Sequence, residues 1–344
     1  MTSAFITGLA GATLTSDEAS FLKAAAPAGL ILFARNCIDA EQIRRLVAEA
    51  REASGQGDDF LVLIDQEGGR VQRLRPPLGR ALPPADAYAC LFCDDEDGAI
   101  DAAYLSARLL ADDLKALGIN TNCAPVLDVP VPGAHDIIGD RAYGRTPGQV
   151  ARLGRAVAEG FMAGGVLPVI KHIPGHGRAT ADSHLALPVV DATRDELDAT
   201  DFAPFKALAD MPAAMTAHVV YTSVDPHAPA STSRRVTKDV IREAIGFDGL
   251  LMSDDLSMKA LEGPIGARAE AVLAAGSDLA LHCSGDFAEM EAVAAAVPAL
   301  SGDALRRFRA ALEIFARSEA YDSERAQTGL ARALGTTGRA PESV

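Results

Sequence analysis

Hydrophobic residues in this chain are grouped into short runs that alternate with longer segments of helical periodicity. Most of the runs are continuously apolar rather than alternating with polar residues, which is typical of parallel strands covered on both faces. Eight such runs occur, at residues 3–9, 29–34, 60–65, 119–129, 166–172, 213–219, 249–255 and 277–282. The pattern therefore predicts eight parallel strands.

Three segments between these runs carry signals for the start or the end of a helix. Residues 146–164 open with Thr-Pro, a cap followed by proline at the first helical position. Residues 193–209 open with Thr-x-x-Glu, the spacing of a capping box. Residues 237–245 precede Gly246, which can end a helix in the left-handed conformation.

Eight strands separated by helices favour an α/β protein with a single (β/α)8 TIM barrel, predicted here as a catalytic domain over residues 1–324. The competing architecture is an open doubly wound sheet, which would carry a GxGxxG turn near the first strand, and ITGLAGA does not supply it. Residues 76–100 are rich in Pro, Gly and Asp and are predicted to form a loop. Residues 325–344 are predicted to be a polar, weakly ordered tail.

The charge balance narrows the possible partners of the chain. Its net charge is −15 and its sequence pI is about 4.9, with no basic stripe. Binding to nucleic acid or to an anionic membrane is therefore not expected. Trp is absent and aromatic residues make up 5% of the sequence. Because a long polysaccharide cleft usually needs aromatic platforms, a sugar-binding site in this protein would be a small pocket for one terminal residue.

The cysteines and the N-terminus bear on the compartment. Five cysteines form no even set for a disulfide framework, which fits a reducing environment. No Lys or Arg precedes Lys23, unlike a secretory signal, and the apolar run 24–34 is too short to span a bilayer. We expect a cytoplasmic protein, and a monomer.

Charged residues follow several of the predicted strands directly. In a barrel, the carboxyl ends of all strands meet at one face, where enzymes place their chemistry. A charged side chain at the end of a buried strand is costly to desolvate without a partner or a ligand. The polar residues at these ends are Asp65, Glu67, Arg70, Arg73, Asp140, Arg141, Lys171, His172, Asp254 and Asp255. Their shared position predicts a polar pocket.

The loop after the strand at 166–172 is the most informative stretch, with the sequence IKHIPGHGRATADSHLALP. Its proline and glycines allow it to present side chains outside a helix. Asp182 and His184 lie two residues apart, close enough for the carboxylate to orient the imidazole and to stabilise its protonated form. For His172 and His176, simple hydrogen bonds to backbone carbonyls are an equally open interpretation.

This stretch closely resembles the KHFPGHGxxxxDSHxxxP signature of family 3 glycoside hydrolases of the β-N-acetylglucosaminidase type. Three further blocks, IDQEGGRVQRL, GDRAYG and MSDDLSM, resemble that family in the same order. The matching blocks extend from about residue 28 to residue 282, and the main departure is Ile173 where phenylalanine is usual.

The resemblance implies a role for individual residues. Asp254 is similar to the family's nucleophile, and His184, assisted by Asp182, is similar to its general acid/base. The positions that hold a terminal N-acetylglucosamine would be Asp65, Arg73, Arg141, Lys171 and His172. No cofactor is expected, and no metal, since no HxH follows the first strand and no other compact ligand block occurs. Its implied substrates are muropeptides that carry 1,6-anhydro-N-acetylmuramic acid, in peptidoglycan recycling.

Retaining glycosidases attack the anomeric carbon with a carboxylate while a second group protonates the leaving oxygen. A histidine with an ordinary pKa near 6.5 can donate and then accept that proton near neutral pH. Because side chains alternate along a strand, Asp254 and Asp255 cannot both point inward, and Asp255 is expected to support the loop or the next helix. A structural ion pair with Arg70 is the alternative interpretation of Asp65.

Three other functions remain open from the residues. A metal-dependent hydrolase could use histidines and aspartates at the same rim. A glycoside phosphorylase would also suit a histidine acid/base, since a carboxylate there would repel phosphate. A non-catalytic sugar-binding protein could share the fold, although it has no use for a nucleophile.

Overall fold

The computed structural model of the chain describes residues 1–179, 181, 183, 186–317 and 319–335. The barrel strands are β1 (Ser3–Gly8), β2 (Pro27–Leu32), β3 (Leu61–Ile64), β6 (Thr121–Asn122), β7 (Leu167–Ile173), β9 (Ala213–Thr216), β11 (Leu250–Asp255) and β12 (Leu279–Leu281). These eight parallel strands close into a barrel in the order β1-β2-β3-β6-β7-β9-β11-β12, and the last strand pairs with the first. The predicted (β/α)8 barrel is confirmed.

Two small ribbons lie outside the barrel. An antiparallel pair consists of β4 (Gln66–Gly68) and β5 (Val71–Gln72), and a parallel pair of β8 (Val189–Val190) and β10 (Val220–Tyr221). Gly68 at φ 116° and Gly69 at φ 55° make the turn between β4 and β5. A Cβ atom at Gly68 would also collide with the backbone oxygen of Pro83. Only glycine fits this turn, which fixes the polar segment that follows β3.

The helices are α1 (Ser16–Ala25), α2 (Ala40–Ser54), α3 (Ala85–Asp94), α4 (Glu96–Ala116), α5 (Pro147–Ala163), α6 (Arg194–Ala199), α7 (Ala203–Ala207), α8 (Ile265–Ala275), α9 (Phe287–Ala296), α10 (Gly302–Leu312) and α11 (Ser323–Gly335), with a π-helix at Val236–Ile245. Short 3₁₀ turns lie at Ala34–Asn36, Gly57–Asp59, Gly139–Arg141 and Glu313–Ala316. Within the described ranges, no helix is long and apolar enough to cross a membrane.

The predicted caps are present. Thr146 caps α5, and Thr193 and Glu196 form the capping box of α6. Gly246 ends the π-helix in the left-handed conformation at φ 83°. The helix predicted over 193–209 is nevertheless two helices. The hydroxyl of Thr200 donates to the carbonyl of Glu196 at 2.6 Å. The second helix carries Pro204 in its first turn, and a proline cannot continue a helical ladder from the preceding helix.

The prediction of a loop over 76–100 was wrong for the second half of this segment, which contains α3 and the start of α4. Composition suggested a loop, but Ala85, Tyr88 and Leu91 recur at helical spacing and are buried. The side chain of Asp95, which added to the loop-like composition, instead caps α4 by accepting from the amide of Gly98 at 3.0 Å.

The weakly ordered tail predicted from residue 325 was wrong as far as Gly335, because α11 occupies this segment and packs against α4. Ala326 and Leu330 are buried at a spacing of one helical turn, so the segment has an apolar face despite its polar composition. Residues 336–344 of the predicted tail lie outside the described residues. A domain boundary at residue 324 stays a prediction.

The alternation of side chains along the strands divides the core into an inner and an outer part. Inside the barrel, one cluster contains alternate residues of the strands, among them Leu61 and Leu63 of β3, Leu167 and Val169 of β7, and Leu250 and Met252 of β11. Phe308 of α10 and Ile314 belong to the same cluster, so this helix and the turn after it close the amino-terminal end of the barrel. The opposite end remains open.

Candidate active site

Because side chains alternate along a strand, the next inward-facing position after each of these three apolar pairs is a charged residue. Asp65 continues Leu61 and Leu63, Lys171 continues Leu167 and Val169, and Asp254 continues Leu250 and Met252. All three line a cavity of about 350 Å³ at the carboxyl end of the barrel, which is within the usual range of small-ligand sites. The predicted polar pocket is therefore present.

One wall of the cavity is an ion network built from segments far apart in the chain. Lys171 Nζ lies 2.9 Å from Asp65 Oδ1 and 2.7 Å from Glu67 Oε1. Arg73 Nη2 lies 2.9 Å from Asp65 Oδ2. Arg141 binds Glu67 through two hydrogen bonds of 2.8 Å. The five residues alternate in sign, so each charge has an opposite partner.

The network fixes the charge state of each member. Burial by itself would raise the pKa of the Asp65 carboxyl, but the charges of Lys171 and Arg73 outweigh it and hold that pKa far below its usual range. Burial also opposes the ionisation of Glu67, but Arg141 and Lys171 lower its pKa to about 2. The two carboxylates in turn raise the pKa of Lys171 despite its burial. The wall is thus permanently charged at neutral pH, with oxygen acceptors and N–H donors in fixed positions.

The alternative pairing of Asp65 with Arg70 was wrong. Arg70 lies 3.0 Å from Asp140 and 3.8 Å from Asp136, and it donates to backbone carbonyls of residues 136–138 at the cavity rim. The cations that pair with Asp65 are Arg73 and Lys171, both of which line the cavity.

The opposite wall contains the two neighbouring aspartates. Asp254 lines the cavity, and its Oδ1 accepts from the backbone amide of Asp255 at 2.8 Å. Asp255 Oδ1 accepts from the amides of Ser257 at 2.9 Å and Cys283 at 3.1 Å, so it ties the loop after β11 to the end of β12. This supporting contact is the one expected for Asp255, but Asp255 also lines the cavity beside Asp254, so the expectation that only one of the two faces inward was wrong. Burial raises the pKa of Asp255.

Histidines line or adjoin the same space. His172 and His176 line the cavity, with His176 Nε2 3.2 Å from Ser183 Oγ. Burial lowers the pKa of His176 to about 4, so its imidazole is neutral at neutral pH. His218 is fully buried between Ser231 Oγ at 2.7 Å and the carbonyl of Asp255 at 3.1 Å, and burial lowers its pKa as well.

The loop that carries the predicted acid/base is held at its base. The hydroxyl of Tyr221 donates to the carbonyl of Gly175, and Arg178 forms an ion pair with the buried Asp201 at 3.1 Å. A Cβ atom at Gly177 would collide with the backbone of Val129. Asp182 and His184, the predicted acid/base pair, lie outside the described residues.

Sequence reasoning assigned no role in sugar binding to three residues of this region. Glu67 was placed among the polar residues at the strand ends, and because it lies two positions after Asp65 it shares that residue's direction, a signal for its role that was available. Asp128 and His218 lie within the apolar runs 119–129 and 213–219, and each is enclosed by the structure rather than exposed at a rim. In the described part of the chain, no three His, Cys, Asp or Glu side chains are arranged to hold a metal ion.

Comparisons with known proteins identify the family of the chain. Residues 6–313 match the Glycosyl hydrolase family 3 N terminal domain. The chain is 42% identical over 280 residues to a β-hexosaminidase of Methylococcus capsulatus, which covers 80% of this chain and 81% of the relative. It is 39% identical over 305 residues to a β-hexosaminidase of Bordetella pertussis, covering 87% and 86%.

Solved structures agree as well. NagZ from Neisseria gonorrhoeae, crystallised in complex with N-trifluoroacetyl-D-glucosamine, superimposes with a TM-score of 0.83 at 33% identity, covering 97% of this chain and 96% of that one. A β-N-acetylhexosaminidase from Beutenbergia cavernae gives a TM-score of 0.72 at 31% identity, covering 95% and 96%. The chain therefore belongs to glycosyl hydrolase family 3, and it is a glycoside hydrolase of the β-hexosaminidase branch.

Proposed function

We propose that the protein is a retaining exo-β-N-acetylglucosaminidase in which Asp254 is the nucleophile. The observation that carries this proposal is the cavity itself, in which the Asp254 carboxylate shares a space of about 350 Å³ with a wall of fixed ionic donors and acceptors. The barrel is closed below by α10, so a sugar can enter from one end only. A closed-ended pocket suits removal of a terminal residue.

In the proposed complex, the sugar's hydroxyls bind the charged wall. Asp65 is ionised and accepts hydroxyl hydrogen bonds, while Lys171, Arg73 and Arg141 donate. His172 contributes a further contact from β7. Since these groups are already held by one another, little ordering is needed when the sugar binds.

The proposed reaction has two steps. Asp254 attacks the anomeric carbon to form a covalent glycosyl-enzyme, while His184, assisted by Asp182, protonates the leaving oxygen. His184 then removes a proton from water, which attacks the same carbon and releases the sugar with retained configuration. The nucleophile is thus a carboxylate, and the general acid/base is an imidazole.

The natural substrates that we propose are muropeptides with a non-reducing N-acetylglucosamine and 1,6-anhydro-N-acetylmuramic acid. The support is the resemblance of the sequence blocks, together with the β-hexosaminidase relatives and the glucosamine derivative named with the Neisseria structure. A role in peptidoglycan recycling, in the cytoplasm, is part of the same proposal.

The test is hydrolysis of p-nitrophenyl N-acetyl-β-glucosaminide beside the matching β-glucoside, with EDTA present and phosphate absent. We expect release from the N-acetyl substrate alone, and proton NMR should show the β-anomer of N-acetylglucosamine first. Release of the α-anomer would contradict retention. Activity that requires phosphate would indicate a phosphorylase, and activity that requires a metal would indicate a metal-dependent hydrolase.

A further inference from the structure

A buried carboxylate beside the cavity has no part in the function proposed above. Asp128 is fully buried and follows β6 along an extended segment that runs beside β7. Hydrogen bonds from the amide of Leu127 to the carbonyl of Lys171 (2.6 Å) and from the amide of Lys171 to the carbonyl of Pro125 (3.1 Å) fix this alignment. This alignment brings the side chain of Asp128 next to that of His172.

Each oxygen of this carboxylate contacts N–H donors. Oδ2 lies 2.6 Å from Nδ1 of His172. Oδ1 accepts from the backbone amide of His172 at 3.2 Å and from that of His176 at 2.6 Å. Burial alone would raise the pKa of Asp128, but His172 and then His176 outweigh it and lower that pKa. An ionised carboxylate can only accept, so Nδ1 of His172 must carry a hydrogen.

We propose that Asp128 is a positioning residue for the glycosidase reaction, which holds the His172 imidazole with Nδ1 protonated so that Nε2 is the nitrogen available to the sugar. The proposal rests on the proposed function for the contact between His172 and the sugar. Asp128 itself acts through His172, in the way that second partners of imidazoles generally fix the tautomer and the ring orientation.

Replacement of Asp128 by asparagine separates this role from a structural one. The amide oxygen of asparagine can still accept from the two backbone amides. Its NH₂ group, however, would face Nδ1 of His172, which favours the opposite tautomer with the hydrogen on Nε2. The shape is kept while the hydrogen-bonding role of the ring is inverted.

The first measurement is nitrogen NMR of the histidine side chains, with the His172 signals assigned by their loss in His172→Gln. We expect Nδ1 of His172 to be protonated in the wild type, and Nε2 to be the protonated nitrogen in Asp128→Asn. An unchanged His172 tautomer in the variant would overturn the proposal. This measurement needs no turnover, so it also decides the proposal if the glycosidase activity itself is not found.

The second measurement is a double-mutant cycle on hydrolysis of p-nitrophenyl N-acetyl-β-glucosaminide. We expect Asp128→Asn to lower kcat/KM on the order of 100-fold in the wild-type background. In the His172→Gln background, the same change should cost about twofold or less, because the residue through which it acts is already lost. An equal loss in both backgrounds would show a general structural role and would contradict the proposal.

Asp278→Asn is the matched control for a buried carboxylate. Asp278 is also buried and also accepts from a backbone amide, that of Leu251, but it lies at the start of β12 and does not line the cavity. We expect this variant to keep both the wild-type tautomer of His172 and the wild-type kcat/KM. A change in either would attribute the effect of Asp128→Asn to loss of a buried charge in general.

Discussion

The two ends of the barrel both bury charged networks, but the networks face different surroundings. At the amino-terminal end, Asp278 binds Arg242 at 3.0 Å, Arg307 at 3.1 Å and the backbone amide of Leu251 at 2.9 Å. At the carboxyl end, the network around Lys171 lines a cavity of about 350 Å³. The charges of the first network contact other protein groups, whereas those of the second also face a space that a ligand can fill.

A structural ion network and a binding one differ in what borders their charges. Burial and ion pairing are similar in both networks, so neither property separates them. The difference is the open volume beside the charges, since a desolvated network that borders a cavity offers hydrogen bonds to a ligand without rearrangement. Variants at the two ends should therefore have separable effects on activity and stability.

The largest effect is expected from Asp254→Asn. Loss of the proposed nucleophile should lower kcat by roughly 10⁴-fold or more, without loss of thermal stability, because the variant keeps the shape of the side chain. Asp255→Asn is the matched control. It alters a carboxylate that binds two backbone amides and should retain part of the activity. Activity of Asp254→Asn within tenfold of wild type would contradict the nucleophile assignment.

Lys171→Met should affect both binding and stability. It leaves Asp65 and Glu67 without the cation that lies between them, and removal of one partner of a buried ion pair typically costs about 3–5 kcal/mol. We expect a lower unfolding free energy in urea and no measurable binding of N-acetylglucosamine by calorimetry. Wild-type affinity for the sugar would show that this wall is not part of the binding site.

A fall in pH should lower the free energy of unfolding through His176, which lines the cavity. Its pKa is lowered from 6.5 to about 4 in the folded protein, so the unfolded chain binds a proton first as the pH falls. Above pH 6.5 both states hold His176 neutral, and the free energy of unfolding is unaffected by this group. As the pH falls from 6.5 towards 4, protonation of the unfolded chain lowers the free energy of unfolding by about 3 kcal/mol in total. His176→Gln should flatten the plot of unfolding free energy against pH in this window. His227→Gln, at an exposed position, is the control variant measured beside it.

The smallest effect on activity is expected at the opposite end. Asp278→Asn should lower the unfolding free energy by about 1–3 kcal/mol, because it weakens contacts with two arginines and a backbone amide. The kcat/KM of the folded variant should equal that of the wild type. If the fully folded variant lost activity, the two ends of the barrel would be coupled, and their effects on activity and stability would not be separable.

Much of the fold could be predicted from local patterns. The eight continuous apolar runs became the eight barrel strands, and the predicted caps at Thr146, Thr193 and Gly246 are present. The errors arose where the composition of a wider segment was weighed above local periodicity, as in α3 and α11, whose buried positions lie on one helical face. They also arose at Thr200, where a side-chain hydrogen bond and a nearby proline divide a helix.

The sequence by itself determined which strands form and which polar residues follow them, because strand burial and helix capping depend on neighbouring residues. Only the tertiary structure decided which charges meet. Lys171 reaches Asp65 across 106 positions of the chain, and Arg141 reaches Glu67 across 74. Asp65 pairs with the nearby Arg73 and with the distant Lys171 rather than with Arg70. Lys171 reaches it because barrel closure brings the inward side chains of separate strands to one level. No local signal encodes that distance.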